Sequence, residues 1–223
     1  MLFILTGEIQ AGKTRWLMRL ADEIAGLGVI CHGLLTPGVW RTSEPEGGLG
    51  SEPGGKSGGE PGCEPGGEGH RYEKLGIEAL LLPDGRRFSF AKRQDLVEQD
   101  GTDRADWQSS QAGLGWVIPD EAIHAVNRHF DELATSISGK GVALLVVDEL
   151  GILELLKGKG LTSAVQLLDS GGRELYQHAL IIVRKDLLSV AVERFSEAWG
   201  EVSVITPDDV SHALVLDTIT RLA

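Results

Sequence analysis

Residues 7–14 of this 223-residue chain read Gly7-Glu8-Ile9-Gln10-Ala11-Gly12-Lys13-Thr14, which fits the pattern G-x-x-x-x-G-K-[ST]. Nothing else in the sequence restricts the fold as tightly. Residues 1–6 form a short hydrophobic run and read as a strand. Leu17, Leu20, Ala21, Ile24 and Leu27 then recur at helical spacing. Strand, glycine-rich loop and helix, in that order, is the setting that a phosphate-binding loop requires. Gly7 and Gly12 let the backbone turn tightly. Successive N–H groups then point inward as an anion nest, and the helix adds the positive end of its dipole. Lys13 supplies a mobile positive charge for the β- and γ-phosphates, and the Thr14 hydroxyl a ligand for Mg²⁺. Gly7, Glu8, Ile9, Gln10, Ala11, Gly12, Lys13, Thr14 and Arg15 are therefore the candidate nucleotide-binding residues.

A second stretch extends this reading. Val142-Ala143-Leu144-Leu145-Val146-Val147 is a buried-strand sequence that ends in the adjacent carboxylates Asp148-Glu149. Paired with the upstream loop, this is the Walker B pattern. A carboxylate at a buried strand end is costly without a cation, so Asp148 is expected to face Mg²⁺ directly or through water. Glu149 is the candidate general base, or the group that orients the attacking water. Gly151-Ile152-Leu153-Glu154-Leu155 follows, with Glu154 a candidate to orient the metal or its water from a second layer. Residues 178–183 form another buried strand and run into Arg184-Lys185-Asp186. Arg184 is either a cation that neutralises the γ-phosphate or a partner in a salt bridge. Lys185 reads as an ion-pair or helix-flanking charge.

Between these stretches the strand–helix alternation continues. Val29-Ile30-Cys31-His32-Gly33-Leu34-Leu35 is a strand of central character, closed by Pro37-Gly38. From about residue 43 to 70 the sequence repeats Glu-Pro-Gly-Gly-like units with almost nothing apolar, and is expected to be a low-complexity insertion in a surface loop. Residues 73–82 and 86–91, joined by Pro83-Asp84-Gly85, read as a β-hairpin. Arg86, Arg87, Lys92 and Arg93 cluster on it, as edge-strand charge or as a contact to the triphosphate. Residues 94–115 are polar and irregular, and 116–118 a short extended segment. Pro119-Asp120-Glu121 opens a helix whose stripe is Ile123, Val126, Phe130, Leu133 and Ile137. His124 and His129 fall off that stripe, with no spacing that suggests a metal site. Leu161 to Ser170 reads as a short helix, and Leu188, Ala191, Val192, Phe195 and Trp199 mark a longer one. Residues 202–205 are the last strand. Thr206 and Pro207 are expected as N-cap and first residue of the final helix.

The net charge is -12, from 21 basic and 33 acidic side chains. Such a balance argues against nonspecific binding to nucleic acid or anionic membranes as the main role. No run approaches the length of a membrane span, and the N-terminus has no basic region of the kind a signal peptide carries. Cys31 and Cys63 provide neither a disulfide framework nor a metal cluster, so a cytoplasmic location is expected. Cys31 reads as a small buried hydrophobe. One α/β domain is expected over residues 1–223, with the insertion interrupting it: a three-layer, mostly parallel sheet, helices on both faces and an added β-hairpin. The site should lie beyond the carboxyl ends of the strands.

The start (Leu5-Thr6-Gly7 through Lys13-Thr14), the middle (Val147-Asp148-Glu149-Leu150-Gly151-Ile152-Leu153-Glu154-Leu155) and the strand running into Arg184 together resemble the small THEP1-type nucleoside triphosphatases, also called cancer-related nucleoside triphosphatases. The resemblance covers residues 1–42 and 71–223, and the Asp-Glu-hydrophobic-Gly-x-x-Glu-Leu signature discriminates it from other P-loop families. It implies a RecA-like (ASCE) P-loop domain that slowly hydrolyses ATP, GTP and other nucleoside triphosphates with Mg²⁺. By similarity the phosphate loop maps onto residues 7–14, the Walker B pair onto Asp148 and Glu149, the signature glutamate onto Glu154 and the later basic residue onto Arg184. The family often has Pro-Gly-Val inside the loop, where this chain has Ile9-Gln10-Ala11. Nothing resembles Asn-Lys-x-Asp, the usual guanine-reading motif. Two other readings stay open: a small kinase that passes phosphate to a nucleoside or metabolite, and a nucleotide-binding switch with weak hydrolysis. The acidic, glycine-rich insertion is either a dispensable loop or a tether for a protein partner that the sequence does not identify.

Overall fold

The computed structural model describes residues 1–43, 71–97, 107–111, 115–135, 143–171 and 175–221. The expected insertion falls outside them apart from Ser43, as do Cys63 and Ile137. The chain begins with β1 (Leu2–Leu5), and residues 7–12 lead into α1 (Lys13–Gly26). Gly28, at φ 84°, turns the chain into β2 (Ile30–Leu35). A strand that sequence reading passed over follows at once: β3 (Gly38–Ser43). Its residues carry no uninterrupted apolar run, and pairing with a distant strand makes it extended. The hairpin is longer than expected, with β4 (Arg71–Leu82) and β5 (Arg86–Arg93). Next come α2 (Gln94–Val97), α3 (Gln108–Gln111), β6 (Trp116–Val117) and α4 (Asp120–Thr135). The second half runs β7 (Ala143–Leu150), α5 (Ile152–Leu155), α6 (Thr162–Asp169), β8 (His178–Val183), α7 (Leu188–Trp199), β9 (Val202–Ile205) and α8 (Asp209–Thr220). Among the described residues no helix is long and apolar enough to cross a membrane.

The strands form one mixed sheet in the order β6-β5-β4-β2-β7-β8-β1-β9, with β3 also on β4. The pairs β2–β7, β7–β8, β8–β1 and β1–β9 are parallel. Those from β2 outward, β2–β4, β3–β4, β4–β5 and β5–β6, are antiparallel. The hairpin is thus neither a detached flap nor a lone edge: it continues the sheet as an antiparallel wing. The wing widens the sheet on the β7 side, and β8 separates β7 from β1.

Period-two alternation divides the core between the two faces. Leu2 and Ile4 of β1, Leu145 and Val147 of β7, and Ala179 and Ile181 of β8 pack with α4, α6 and α7. Phe3, Leu5, Leu144, Val146, Leu180 and Ile182 pack on the opposite face with α1 and α8. Strands covered on both sides need continuous apolar runs, which is why these strands were legible. Cys31 is buried in the second cluster, and burial pushes its thiol up to about 12, as suits a small hydrophobe.

Two local expectations are corrected. His129 is not off the packed face of α4: it is buried, and its Nε2 donates to the Leu82 carbonyl at 3.0 Å, while His124 is exposed. The hairpin end packed over the helix turns a polar position inward and supplies its acceptor. In α8 the cap is Asp208, not Thr206; its carboxylate accepts from the Ser211 N–H at 2.8 Å. A charged acceptor caps more strongly than a hydroxyl, and Pro207 is left before the helix.

His178 opens β8 in a buried position, and neither ring nitrogen has a hydrogen-bond partner among the described residues. Burial first, and then the N-terminal charge, lowers its pKa to about 4. The native state therefore resists a proton that the unfolded chain accepts near pH 6.5. Stability should be full above that pH and fall as pH drops toward 4, by on the order of 3 kcal/mol. Urea melts of the wild type and His178→Val at pH 7 and pH 5 check this: the variant should lose less stability than the wild type on acidification.

Candidate functional site

The carboxyl ends of β2, β7, β8, β1 and β9 point the same way, and the residues following them meet there. The paired registers bring Leu5 beside Ile182 and Ile205, Val147 beside Ile181, and Leu34 beside Val147. The next residues on each strand are Thr6, Thr206, Asp148 and Leu35, so adjacent strand ends gather chemistry that lies far apart in sequence.

Residues 7–12 form the loop predicted from the glycines. Gly12 sits at φ 79° immediately before α1, and the Ala11 N–H donates to the Glu8 carbonyl at 3.2 Å. Gln10 is the one non-glycine residue with a left-handed backbone among those described, at φ 64°. It stands at the middle of the Ile9-Gln10-Ala11 departure, where glycine would adopt that conformation without Cβ crowding. Lys13 reaches back over the loop, and its ammonium donates to the carbonyls of Gly7 at 3.2 Å and Glu8 at 2.8 Å. The Glu8 carboxylate accepts from Lys185, which holds the fully exposed Glu8 below its ordinary pKa. Ile9 is exposed, and the Arg15 guanidinium lies along Gly12. A Cβ on Gly7 would come 3.4 Å from Pro207, so the last loop of the fold packs against the first.

Asp148 and Glu149 stand at the end of β7, and the peptide bond between them is cis. The Thr14 hydroxyl donates to Asp148 Oδ1 at 3.2 Å, and the Thr36 N–H donates to Oδ2 at 3.0 Å. Asp148 is only 1% exposed. Burial drives its pKa up, while the Thr36 amide and the Thr36 and Thr14 hydroxyls pull it down. Glu149 as a whole residue is exposed, while protein surrounds its carboxyl. Burial raises its pKa first and the neighbouring Asp148 charge second, while Lys13, Arg184 and Lys74 lower it. The two acids are thus pushed toward protonation unless a cation joins them.

Glu154 is buried, and the pair of bonds it makes is local. Its carboxylate accepts from the Gly151 N–H at 2.9 Å and the Leu161 N–H at 3.1 Å. A Cβ on Gly160, at φ 73°, would lie 2.0 Å from Glu154 Oε1, so the residue closes tightly around this carboxylate. These contacts hold the turn that follows Glu149. Arg184 pairs with Asp186 at 3.2 Å while also acting on Glu149.

The three hairpin arginines are engaged along the wing. Arg86 pairs with Asp84 and Glu132, Arg87 with Glu78, and Arg93 with Glu73 and Asp95. The wing residue whose charge reaches the acids is instead Lys74, which sequence reading did not single out. Burial lowers its pKa, and Asp148 and Glu149 oppose that shift. Thr36 was also missed. Its position immediately beyond a strand end was the available signal. Lys74 had none, because only the pairing of β4 with β2 and β3 brings it in.

Two hard oxygen donors, Thr14 Oγ1 and Asp148 Oδ1, converge here, with the other oxygen of Asp148 fixed by an amide. Among the described residues no three His, Cys, Asp or Glu side chains could hold a metal together. A pair of protein oxygens fits Mg²⁺ that shares phosphates and waters, since Mg²⁺ is commonly held by one or two protein groups.

No family model matches this chain, and no curated protein matches it in sequence. Its structure is similar to the solution structure of a human cancer-related nucleoside triphosphatase, with TM-score 0.53 over 99% of this chain and 96% of that chain, at 17% identity. The likeness extends over the fold: an α/β architecture with a mixed sheet, parallel at its core and flanked by helices.

Proposed function

We propose that this chain binds nucleoside triphosphates with Mg²⁺ and hydrolyses them to nucleoside diphosphate and phosphate at low turnover. The observation that carries the reading is the contact of Thr14 with Asp148, which joins a helix-capping phosphate loop to a buried carboxylate 134 residues away. The likeness of fold to a nucleoside triphosphatase supports it.

In this reading the amides of residues 7–14 cradle the phosphates, and Lys13 leaves the Gly7 and Glu8 carbonyls to contact the β- and γ-phosphates. Thr14 and Asp148 hold Mg²⁺, which when bound offsets negative charge on the phosphate oxygens. Glu149 accepts a hydrogen bond from water and directs it in line at the γ-phosphorus, taking up the proton as the P–O bond to the leaving diphosphate breaks. Arg184 and Lys13 stabilise charge on the phosphoryl oxygens. Glu154 keeps the turn behind Glu149 in place through its two amide bonds. Without base-reading residues of the Asn-Lys-x-Asp kind, the site accepts several bases.

The test is Mg²⁺-dependent phosphate release from ATP, GTP, CTP and UTP, with no acceptor added. Wild type should release phosphate slowly from each. Lys13→Ala should weaken nucleotide binding and lower turnover together, by on the order of tenfold or more in each. Binding and turnover that survive Lys13→Ala unchanged would overturn the proposal. Triphosphate consumed only when a nucleoside acceptor is supplied, with the phosphoryl group recovered on that acceptor and none as free phosphate, would replace it with a kinase.

A further inference from the structure

The wing of the sheet brings one cation to the acids from the side opposite Lys13. In the strand order β4-β2-β7-β8-β1, Asp148 and Glu149 lie between the strand that bears Lys74 and the strand that leads to Lys13. Lys74 faces Trp40 in the β3–β4 register. Its ammonium lies 6.0 Å from the Trp40 ring and 5.1 Å from the Trp116 ring, within the range of attraction between a cation and an indole face. Its arm passes directly over Gly38. A Cβ there would lie 2.8 Å from Lys74 Cε and 2.8 Å from Trp40 Nε1, so glycine leaves the channel for the side chain. Gly38 is two residues beyond Thr36, whose N–H holds Asp148. Among the described residues Lys74 makes no direct ion pair, whereas Arg86, Arg87 and Arg93 on the same hairpin each do. A half-buried ammonium that two indoles steady, and that makes no direct ion pair among the described residues, is placed to meet the negative charge of a ligand.

We propose that Lys74 is a second phosphate-contacting cation, docked on Trp40 and Trp116, that meets the terminal phosphate of a bound nucleoside triphosphate from the side opposite Lys13. This rests on the reading that the site takes nucleoside triphosphates. Lys13 contacts both the β- and γ-phosphates and serves diphosphate and triphosphate alike. Lys74 comes from beyond Asp148 and meets only the phosphate that a diphosphate lacks. It gives the site its preference for triphosphate and adds charge stabilisation during transfer.

The experiment measures dissociation constants, by calorimetry with Mg²⁺, for ADP and for a non-hydrolysable imido analogue of ATP, together with turnover of ATP. Lys74→Met should weaken the analogue roughly tenfold, leave ADP within about twofold, and lower kcat at least about tenfold. Lys74→Arg should recover much of the triphosphate preference. Gly38→Ala, which pushes the lysine arm aside without removing its charge, should show the same selective loss as Lys74→Met. It keeps the question open to test if Lys74→Met does not fold. Arg87→Met, which breaks only a surface pair with Glu78, is the control and should match wild type. Wild-type turnover with an unchanged triphosphate preference in Lys74→Met and Gly38→Ala would overturn the role of Lys74 alone. Equal weakening of ADP and analogue would also overturn it, since that is the mark of a structural lysine. A wild type that binds neither nucleotide would overturn both this proposal and the function it rests on.

Discussion

Glu149→Gln should leave nucleotide binding within about threefold and cut hydrolysis by on the order of 10² to 10⁴. Glutamine has nearly the same shape and still accepts a hydrogen bond, but it cannot take a proton at neutral pH. The expectation draws on where the carboxyl sits. Burial and the adjacent Asp148 raise its pKa, which moves a carboxylate toward the range in which it can accept a proton and later release it. Lys13, Arg184 and Lys74 work in the other direction and keep the carboxylate form accessible. The base works when deprotonated, so turnover should fall on the acid side. Phosphate release by Glu149→Gln beside calorimetric binding of an ATP analogue checks both halves. Undiminished hydrolysis would remove Glu149 from the mechanism. Loss of binding and hydrolysis together would make it a structural residue of the site.

Gly33→Ala should be the most damaging single substitution outside the site, destabilising the protein by on the order of 4 kcal/mol or more. Gly33 pairs with Val146 in the β2–β7 register and sits at φ 124°. A Cβ there would lie 2.0 Å from the Val146 carbonyl oxygen, which is backbone and cannot swing away. The strands would have to part where the parallel core joins the antiparallel wing. Thr36 would then withdraw its N–H from Asp148, so any folded fraction should also lose turnover. Gly28→Ala separates crowding from backbone preference. Gly28 is also left-handed, at φ 84°, but a Cβ there meets open space, so its cost should be only about 1 kcal/mol. Urea unfolding of the two variants, compared at equal m-value, provides the measurement. Similar midpoints would show that the β2–β7 contact is not as tight as described.

What could be read in advance divides along physical lines. β1, β7 and β8 were legible because they are covered on both faces, which demands long apolar runs. The loop of residues 7–12 was legible because its requirements are local: glycines at fixed spacing, then a lysine and a threonine opening a helix. β3 was missed for the opposite reason. Its extension is imposed by pairing with β4, and no apolar run marks it. His129 was misplaced because helical periodicity does not reveal a carbonyl acceptor supplied by the distant Leu82. The cap of α8 was placed two residues early because Thr206 and Asp208 both suit the role by type, and geometry chose the carboxylate.

The glycine-rich loop ahead of α1, the apolar strand that ends in Asp148-Glu149 and the alternation that makes the fold α/β can all be read from the chain. Each follows from residues a few positions apart, where backbone geometry alone sets what they can do. Folding alone brings Thr14 to Asp148, fixes the other Asp148 oxygen on the Thr36 N–H, turns the Glu154 carboxylate onto nearby amides and seats Lys74 between Trp40 and Trp116. Those contacts depend on strand order and register, which arise from burial summed over the whole sheet and leave no mark at any single position.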